Sequence, residues 1–96
     1  MAPEGHIYIS IKPKYSTEKK TEDMMCKIAA VKDIKTVEMF YFNVFDFVAK
    51  FKTSNDNRME ELVQKIGSME EVSDVKIRKL KRRVSFSKKG YRTEDL

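Results

Sequence analysis

Alternating apolar and polar residues predict a series of strands. Isoleucines at positions 7, 9 and 11 alternate with polar or amphipathic residues, and Pro13 ends the pattern because proline cannot donate to a strand ladder. The segment 45–51 alternates in the same way, with three phenylalanines and an alanine on its expected core side. The segment 72–80 is expected to form the last strand. Across 31–42 the period is again that of a strand, but neither side is clearly apolar, so its core side is undecided.

Two other stretches carry apolar residues at helical spacing. Ser16 and Thr17 offer hydroxyls as caps for the first helix. A polar cluster precedes the second helix, Asn57 with Glu60 resembles a capping box, and Gly67 supplies a C-terminal stop. The two apolar stripes consist of Met24, Met25 and Ile28 in the first helix and Met59, Leu62, Val63 and Ile66 in the second.

The order of these elements predicts the fold class. Strand, helix, strand, strand, helix, strand is the βαββαβ order of a ferredoxin-like α+β domain, a four-stranded antiparallel sheet with two helices on one face. We assign residues 1–80 to this single domain and 81–96 to a basic C-terminal extension. Within the extension, 84–87 alternates and could add a short edge strand or cover the sheet, whereas 88–96 is expected to be loose.

Such a sheet leaves its second face uncovered. Tyr8, Val44, Val48 and Phe40 are expected to look out from it. A 96-residue chain has a thin core, so a partly apolar open face predicts a partner, most simply a second copy in a homodimer or higher oligomer. No window approaches ~18 consecutive apolar residues, so no membrane span is expected. One cysteine excludes an internal disulfide and favours a reducing, cytoplasmic location.

Signals for catalysis are weak. His6 and Cys26 are single residues of their type, and a nucleophile would need a base held against it. We expect Cys26 to lie at the core edge and to be unreactive. Three glycines cannot build a phosphate-cradling loop, and no cluster has metal-ligand spacing. The sequence therefore predicts no enzyme, no catalytic residue, no metal and no cofactor.

Positive charge is concentrated at the C-terminal end. Of a net charge of +5, residues 1–75 carry −2, from 11 basic and 13 acidic residues, and residues 76–96 carry +7, from nine basic and two acidic residues. Such an arm could contact nucleic acid weakly, or it could be a solvated tail. The candidate nucleic-acid-binding residues are Lys79, Lys81, Arg82, Arg83, Lys88 and Lys89.

Aromatic residues are concentrated in the middle of the chain, where six of the ten lie between positions 40 and 51. The segment Phe45–Phe51 resembles the third-strand octamer of the RNA-recognition motif, and Ile7–Ser10 resembles its first-strand hexamer. That family stacks bases on exposed sheet aromatics. One interpretation is therefore that the chain is a nucleic-acid-binding module that uses these aromatics and the basic arm. Aromatic residues at strand spacing, however, more often belong to the hydrophobic core.

A longer resemblance covers about residues 6–80. The segment Phe45–Phe51, the amphipathic helix after it and the turn Ser68–Val72 resemble the effector-binding domain of the Lrp/AsnC family, which reads aromatic-Asp-apolar, then a helix, then a turn into the last strand. Lys27–Ile34 is similar to the family's turn into its second strand. Asp46 is the most specific match within this pattern.

The resemblance implies a function. It implies a stand-alone ligand-sensing and oligomerisation module in transcriptional or metabolic regulation, which forms dimers through the open sheet face, assembles further into rings and binds a small amino-acid-like effector. The positions that border the family's effector pocket fall on Asn43, Phe45, Asp46 and Ile77. From the residues alone, Asp46 could equally bond to the turn backbone.

Overall fold

A computed structural model describes residues 2–40 and 45–95. The main body contains β1 (Glu4–Ile11), a 3-10 turn (Pro13–Tyr15), α1 (Glu18–Ala29), β2 (Ile34–Met39), β3 (Phe47–Lys52), α2 (Asp56–Gly67) and β4 (Val72–Lys79). Two further strands follow, β5 (Arg82–Ser87) and β6 (Gly90–Asp95).

The strands form two antiparallel sheets. The main sheet has the order β2-β3-β1-β4, and β5 pairs only with β6 in a second, two-stranded sheet. Every neighbouring pair in both sheets is antiparallel. The predicted α+β class, with two helices and a four-stranded antiparallel sheet, is confirmed, and the second sheet is an addition to it.

One face of the main sheet carries the core. The inward residues of β1 and β3 alternate as predicted, and both helices place their buried residues against them, so both helices cover the same face. The buried core cluster includes Ile7, Ile9, Ile11, Met24, Ile28, Phe47, Ala49, Phe51, Leu62 and Ile66. Neither described helix is long and apolar enough to cross a bilayer.

A bulge decides the core side of β2. Ile34 pairs with Phe51 and Thr36 with Lys50, so Lys35 is an extra residue on the β2 strand. The insertion turns both Ile34 and Val37 towards the core. These two residues are out of phase for a regular strand, which is why alternation alone left this strand undecided.

The helix caps are partly as expected. The Thr17 hydroxyl accepts a hydrogen bond from the Lys20 N–H at 3.4 Å. The cap of α2 is Asn55, whose side chain accepts from the Arg58 N–H at 2.9 Å, so the predicted cap Asn57 is wrong by two residues. Thr53 explains the earlier start, because it is buried and donates its hydroxyl to the Asn55 carbonyl oxygen at 3.2 Å.

The C-terminal segment forms a hairpin. Ser87 pairs with Gly90 across a two-residue turn, and Gly90 has φ +115, a conformation that glycine adopts readily. The expectation of a loose segment is therefore wrong for Gly90–Asp95, while the alternation at 84–87 does form a strand. Ion pairs from Arg82 to Asp95 (2.8 Å) and from Arg83 to Glu4 (2.9 Å) hold the base of the hairpin.

Candidate functional site

The face of the main sheet away from the helices is the first candidate surface. On β1 it carries His6 and Tyr8, because the intervening isoleucines point into the core. Tyr8 lies opposite Val48 of β3 and Lys76 of β4. Val48 is only 6 % exposed although it lies outside the core cluster, so this face has a buried apolar residue of its own.

An aromatic–basic patch, formed by Tyr8, Phe45, Lys76 and Arg78, occupies this face. These four residues line a cavity of about 280 Å³. The rings of Tyr8 and Phe45 are 5.3 Å apart between centroids and tilted by 47°. The Lys76 ammonium lies 5.7 Å from the centroid of the Phe45 ring, within the range of a cation–π contact. The patch can therefore offer both ring faces and cations to a partner.

Phe45 was expected on the core side, and that expectation is wrong. β3 begins at Phe47, and Phe45 lies in the bend before it, so strand alternation does not extend back to position 45. Its ring instead contacts Tyr8 on the open face. Lys76 and Arg78 were also outside the predicted site. Because Lys76 and Arg78 are two positions apart on the last strand, the sequence already indicates that they lie on the same side of it. Only the register of β4 against β1 shows that this side is the one that carries Tyr8.

Asp46 is held in a structural role. Its Oδ2 accepts a hydrogen bond from the Ile11 N–H at 2.8 Å, and its backbone N–H donates to the Ile9 carbonyl oxygen at 3.0 Å. The register of β1 against β4 shifts between Ser10 and Ile11. The Asp46 carboxylate therefore accepts a hydrogen bond from an N–H at the point where the regular strand pairing is interrupted. The carboxylate bonds the backbone of β1, whereas the turn to which the sequence predicted a bond lies outside the described residues.

Among the effector positions that the structure describes, Phe45 and Ile77 are not brought together within one chain. Asn43 lies outside the described residues. Phe45 contacts Tyr8 on the open face, whereas Ile77 packs against the core on the other face of β4. Ile77 instead lines a separate cavity of about 220 Å³ with residues of α2, including Met59 and Val63.

The six basic candidates are spread along the end of β4 and the hairpin. Lys79 pairs with Asp56 at 3.1 Å, and Arg82 pairs with Asp95. Arg83 bonds both Glu4 and Glu94, and its hydrogen bond to Glu4 raises the pKa of the guanidinium.

The other three basic candidates differ in their partners. Lys81, Lys88 and Lys89 are exposed and form no ion pair with a described residue. Lys88 and Lys89 occupy the hairpin turn, about 17 Å along the strand from its base at ~3.3 Å per residue. They are the candidates most available to a polyanion.

The two potential nucleophile–base residues are separated. Cys26 is exposed on α1, so the expectation that it lies at the core edge is wrong. α1 packs on the core face of the sheet, whereas His6 is on the opposite face, so the sheet lies between the two side chains. Among residues 2–40 and 45–95, no group of three metal-ligating side chains occurs.

Comparison of the chain with models of known protein families and with curated protein sequences found no match.

Proposed function

We propose that the chain is a stand-alone ligand-sensing and oligomerisation module of the Lrp/AsnC type, acting in transcriptional or metabolic regulation without chemistry of its own. Supporting this is the arrangement of the first four strands and two helices, which we interpret as a ferredoxin-like βαββαβ unit followed by an accessory hairpin. A lone cysteine fits a protein of the reducing cytoplasm.

The observation that carries the proposal is the open sheet face. Tyr8 and Phe45 are half-buried and form a ring pair there, on the side of the sheet that the helices do not cover. Val48, expected to offer apolar surface on the same face, is only 6 % exposed already in the single chain, so the ring pair supplies the apolar surface for a partner. Covering such a surface with a second copy removes apolar area from water at about 25 cal/mol per Å². A standard interface buries ~800 Å² per partner, which is a large gain for a domain of this size.

The effector site of such a module would be completed between copies. Within one chain Ile77 packs against the core while Phe45 contacts Tyr8 on the open face, so a pocket using both positions would need a second chain. A small amino-acid-like effector is the ligand class we propose for that pocket.

Assembly can be tested by light scattering after size-exclusion chromatography. We expect at least a dimer at micromolar concentration, and we expect Tyr8→Lys to dissociate it, because the new charge would face Lys76 across β1 and β4. The matched control is Tyr91→Lys, since Tyr91 is an exposed tyrosine on the hairpin. A monomeric wild type, or dissociation by the control alone, would overturn assembly through this face.

A second candidate function is favoured by the aromatic–basic patch. Two rings beside Lys76 and Arg78 on an open sheet are suited to stacking and phosphate contact with a single-stranded nucleic acid. In a salt series, log K for a single strand should fall with log salt by ~0.7 per phosphate contact.

Two variants separate the patch from the hairpin. Tyr8→Ala with Phe45→Ala removes the rings, and Lys81→Gln with Lys88→Gln and Lys89→Gln removes the unpaired arm charges. Loss of binding only in the first variant, with folding intact, supports base stacking. Loss only in the second leaves the arm as an accessory polyanion contact on a sensor domain.

A further inference from the structure

A basic cleft lies at one end of the main sheet, apart from the aromatic–basic patch. Its volume is about 400 Å³, within the usual range for small-ligand pockets. Four elements contribute to it, and the lining residues that carry the argument are Glu4, His6, Lys35, Lys50, Lys52 and Arg83.

The sheet register explains why these side chains converge. Glu4 pairs with Lys52 and His6 with Lys50 across β1 and β3. Lys35 is the extra residue of the β2 bulge, and a bulge changes the direction of the side chain it inserts. Residues more than 40 positions apart in the sequence thereby line one cavity.

The charge of the cleft is unbalanced. Four cationic side chains and one carboxylate line the cleft, a formal charge of +3 from the lysines, Arg83 and Glu4, although Arg83 also bonds Glu94 of the hairpin at 3.3 Å. The carboxylate is already engaged, because Glu4 Oε2 accepts from Arg83 at 2.9 Å. Lys50 has a long contact of 3.7 Å to Glu38, and neither Lys35 nor Lys52 forms an ion pair with a described residue. Uncompensated like charges around a cavity favour an anion.

The floor of the cleft is rigid. Phe51 is 2 % exposed and belongs to the core cluster. The Leu80 N–H donates to the Glu4 carbonyl oxygen at 2.7 Å, and the Lys52 N–H donates to the Asp33 carbonyl oxygen at 3.0 Å. These backbone bonds fix the strand ends from which the cations extend, so the site needs little rearrangement to bind.

We propose that this cleft binds a multiply charged phosphate anion, of the class represented by a polyphosphate chain or a nucleotide triphosphate. Lysines at several points around the cavity can each contact a different phosphate oxygen, and the ammonium groups act as point charges that tolerate different geometries. The site goes beyond the proposed function, since it involves neither the open-face ring pair nor the effector positions.

The test is isothermal titration calorimetry of the full chain with inorganic tripolyphosphate at constant ionic strength. We expect saturable binding, reduced about tenfold or more by Lys35→Gln with Lys52→Gln. Lys88→Gln with Lys89→Gln makes the same charge change at the hairpin turn and should leave the affinity within about twofold. No binding by wild type, or a larger loss in the hairpin variant, would overturn the proposal.

A local readout is available because His6 is the only histidine in the chain. Its ring C–H resonances should shift on addition of tripolyphosphate and stay unmoved in the cleft variant. ATP and a single-stranded oligonucleotide distinguish the source of the phosphates. Displacement of tripolyphosphate by ATP supports a small-molecule site, whereas resonances that respond only to the oligonucleotide would overturn it. Because the His6 ring lies 6.3 Å from the Tyr8 ring between centroids, the assembly state is held constant by measuring each tripolyphosphate titration at one protein concentration. The calorimetric comparison of the two lysine variants can then fail without the mass of Tyr8→Lys changing, and the reverse.

Discussion

Asp46 shows how one side chain can serve the fold at a position that resembles a binding residue. Its carboxylate accepts the Ile11 N–H at 2.8 Å where the β1–β4 pairing shifts. We expect Asp46→Ala to lower the free energy of unfolding by about 1–2 kcal/mol, because the N–H loses its acceptor. Asp46→Asn should cost less, since the amide oxygen can still accept. Urea unfolding measures both, and equal stability of all three proteins would contradict this role.

Gly5 is required by the close approach of two strands. A Cβ at this position would overlap the backbone carbonyl oxygen of Arg78, which cannot move without disturbing β4. Gly5→Ala should therefore destabilise the fold by about 3 kcal/mol, at the upper end for overpacking. Gly67 is the matched control, because a Cβ there meets only a Val75 methyl group at 3.8 Å. Because Gly67 is the last residue of α2, Gly67→Ala should be neutral or stabilise by up to about 0.5 kcal/mol, measured by thermal unfolding.

The Glu71 carboxylate is expected to make a pH-dependent contribution to the free energy of unfolding. Its backbone hydrogen bond and the Lys27 ammonium, 3.0 Å away, lower the pKa of the carboxyl. Because the folded pKa is below the unfolded value, the stabilisation is present above the unfolded pKa and is lost as pH falls through the folded pKa. Glu71→Gln should cost about 0.5 kcal/mol at neutral pH, the scale of an exposed pair, and this cost should diminish as the pH falls through the lowered pKa of the folded state. Glu70→Gln, at an exposed neighbour without an ion pair among the described residues, should show no such dependence.

At the scale of elements, the C-terminal hairpin is attached lightly to the body. Val84, Phe86 and Tyr91 are 59–78 % exposed, and the Phe86 and Tyr91 rings pack on each other at 5.1 Å. The side-chain link to the main body runs from Arg83 to Glu4. A two-stranded hairpin is marginally stable by itself. The β5–β6 hairpin therefore depends for its structure on the ion pairs at its base or on a partner.

Ending the chain after Leu80 should therefore leave the main sheet folded. We expect the free energy of unfolding to change by less than about 1 kcal/mol, since the lost link is a partly exposed ion pair. Circular dichroism and urea unfolding provide the measurement, and Arg83→Gln in the full chain is the control for the link itself. An unfolded truncated chain would show that the hairpin belongs to the core domain.

At the scale of the whole molecule, the chain has more surface than a compact monomer of its mass. Its accessible surface is 7046 Å², whereas a protein of 11.3 kDa is expected to have about 5,700 Å². Its radius of gyration is 14.8 Å, against about 12.5 Å for a compact chain of this length. The C-terminal hairpin, whose large apolar side chains are 59–78 % exposed, contributes to this excess.

Association makes thermal stability depend on concentration. For a dimer, a tenfold increase in protein concentration should raise the midpoint of thermal unfolding by about 3–5 °C. Tyr8→Lys should show a midpoint that is lower and independent of concentration. A concentration-independent midpoint for the wild type would contradict dimerisation, and calorimetry at two concentrations provides the measurement.

Elements with a local signal could be predicted from the amino-acid pattern alone. The alternation of isoleucines in β1 predicted its core side, and the stripes of α1 and α2 predicted their buried residues, because periodicity directly reports which side of an element avoids water. The α+β class follows from the order of those elements.

Features that depend on the register between distant strands could not be predicted from the pattern and are visible only in the folded chain. The bulge at Lys35 turned Ile34 and Val37 to one side, and the bend before β3 placed Phe45 against Tyr8. The convergence of His6, Lys35, Lys50 and Lys52 around one cleft also requires the pairing of three strands. A shift of one residue in strand register sends a side chain to the opposite face, and local periodicity contains no information about which partner residue lies alongside.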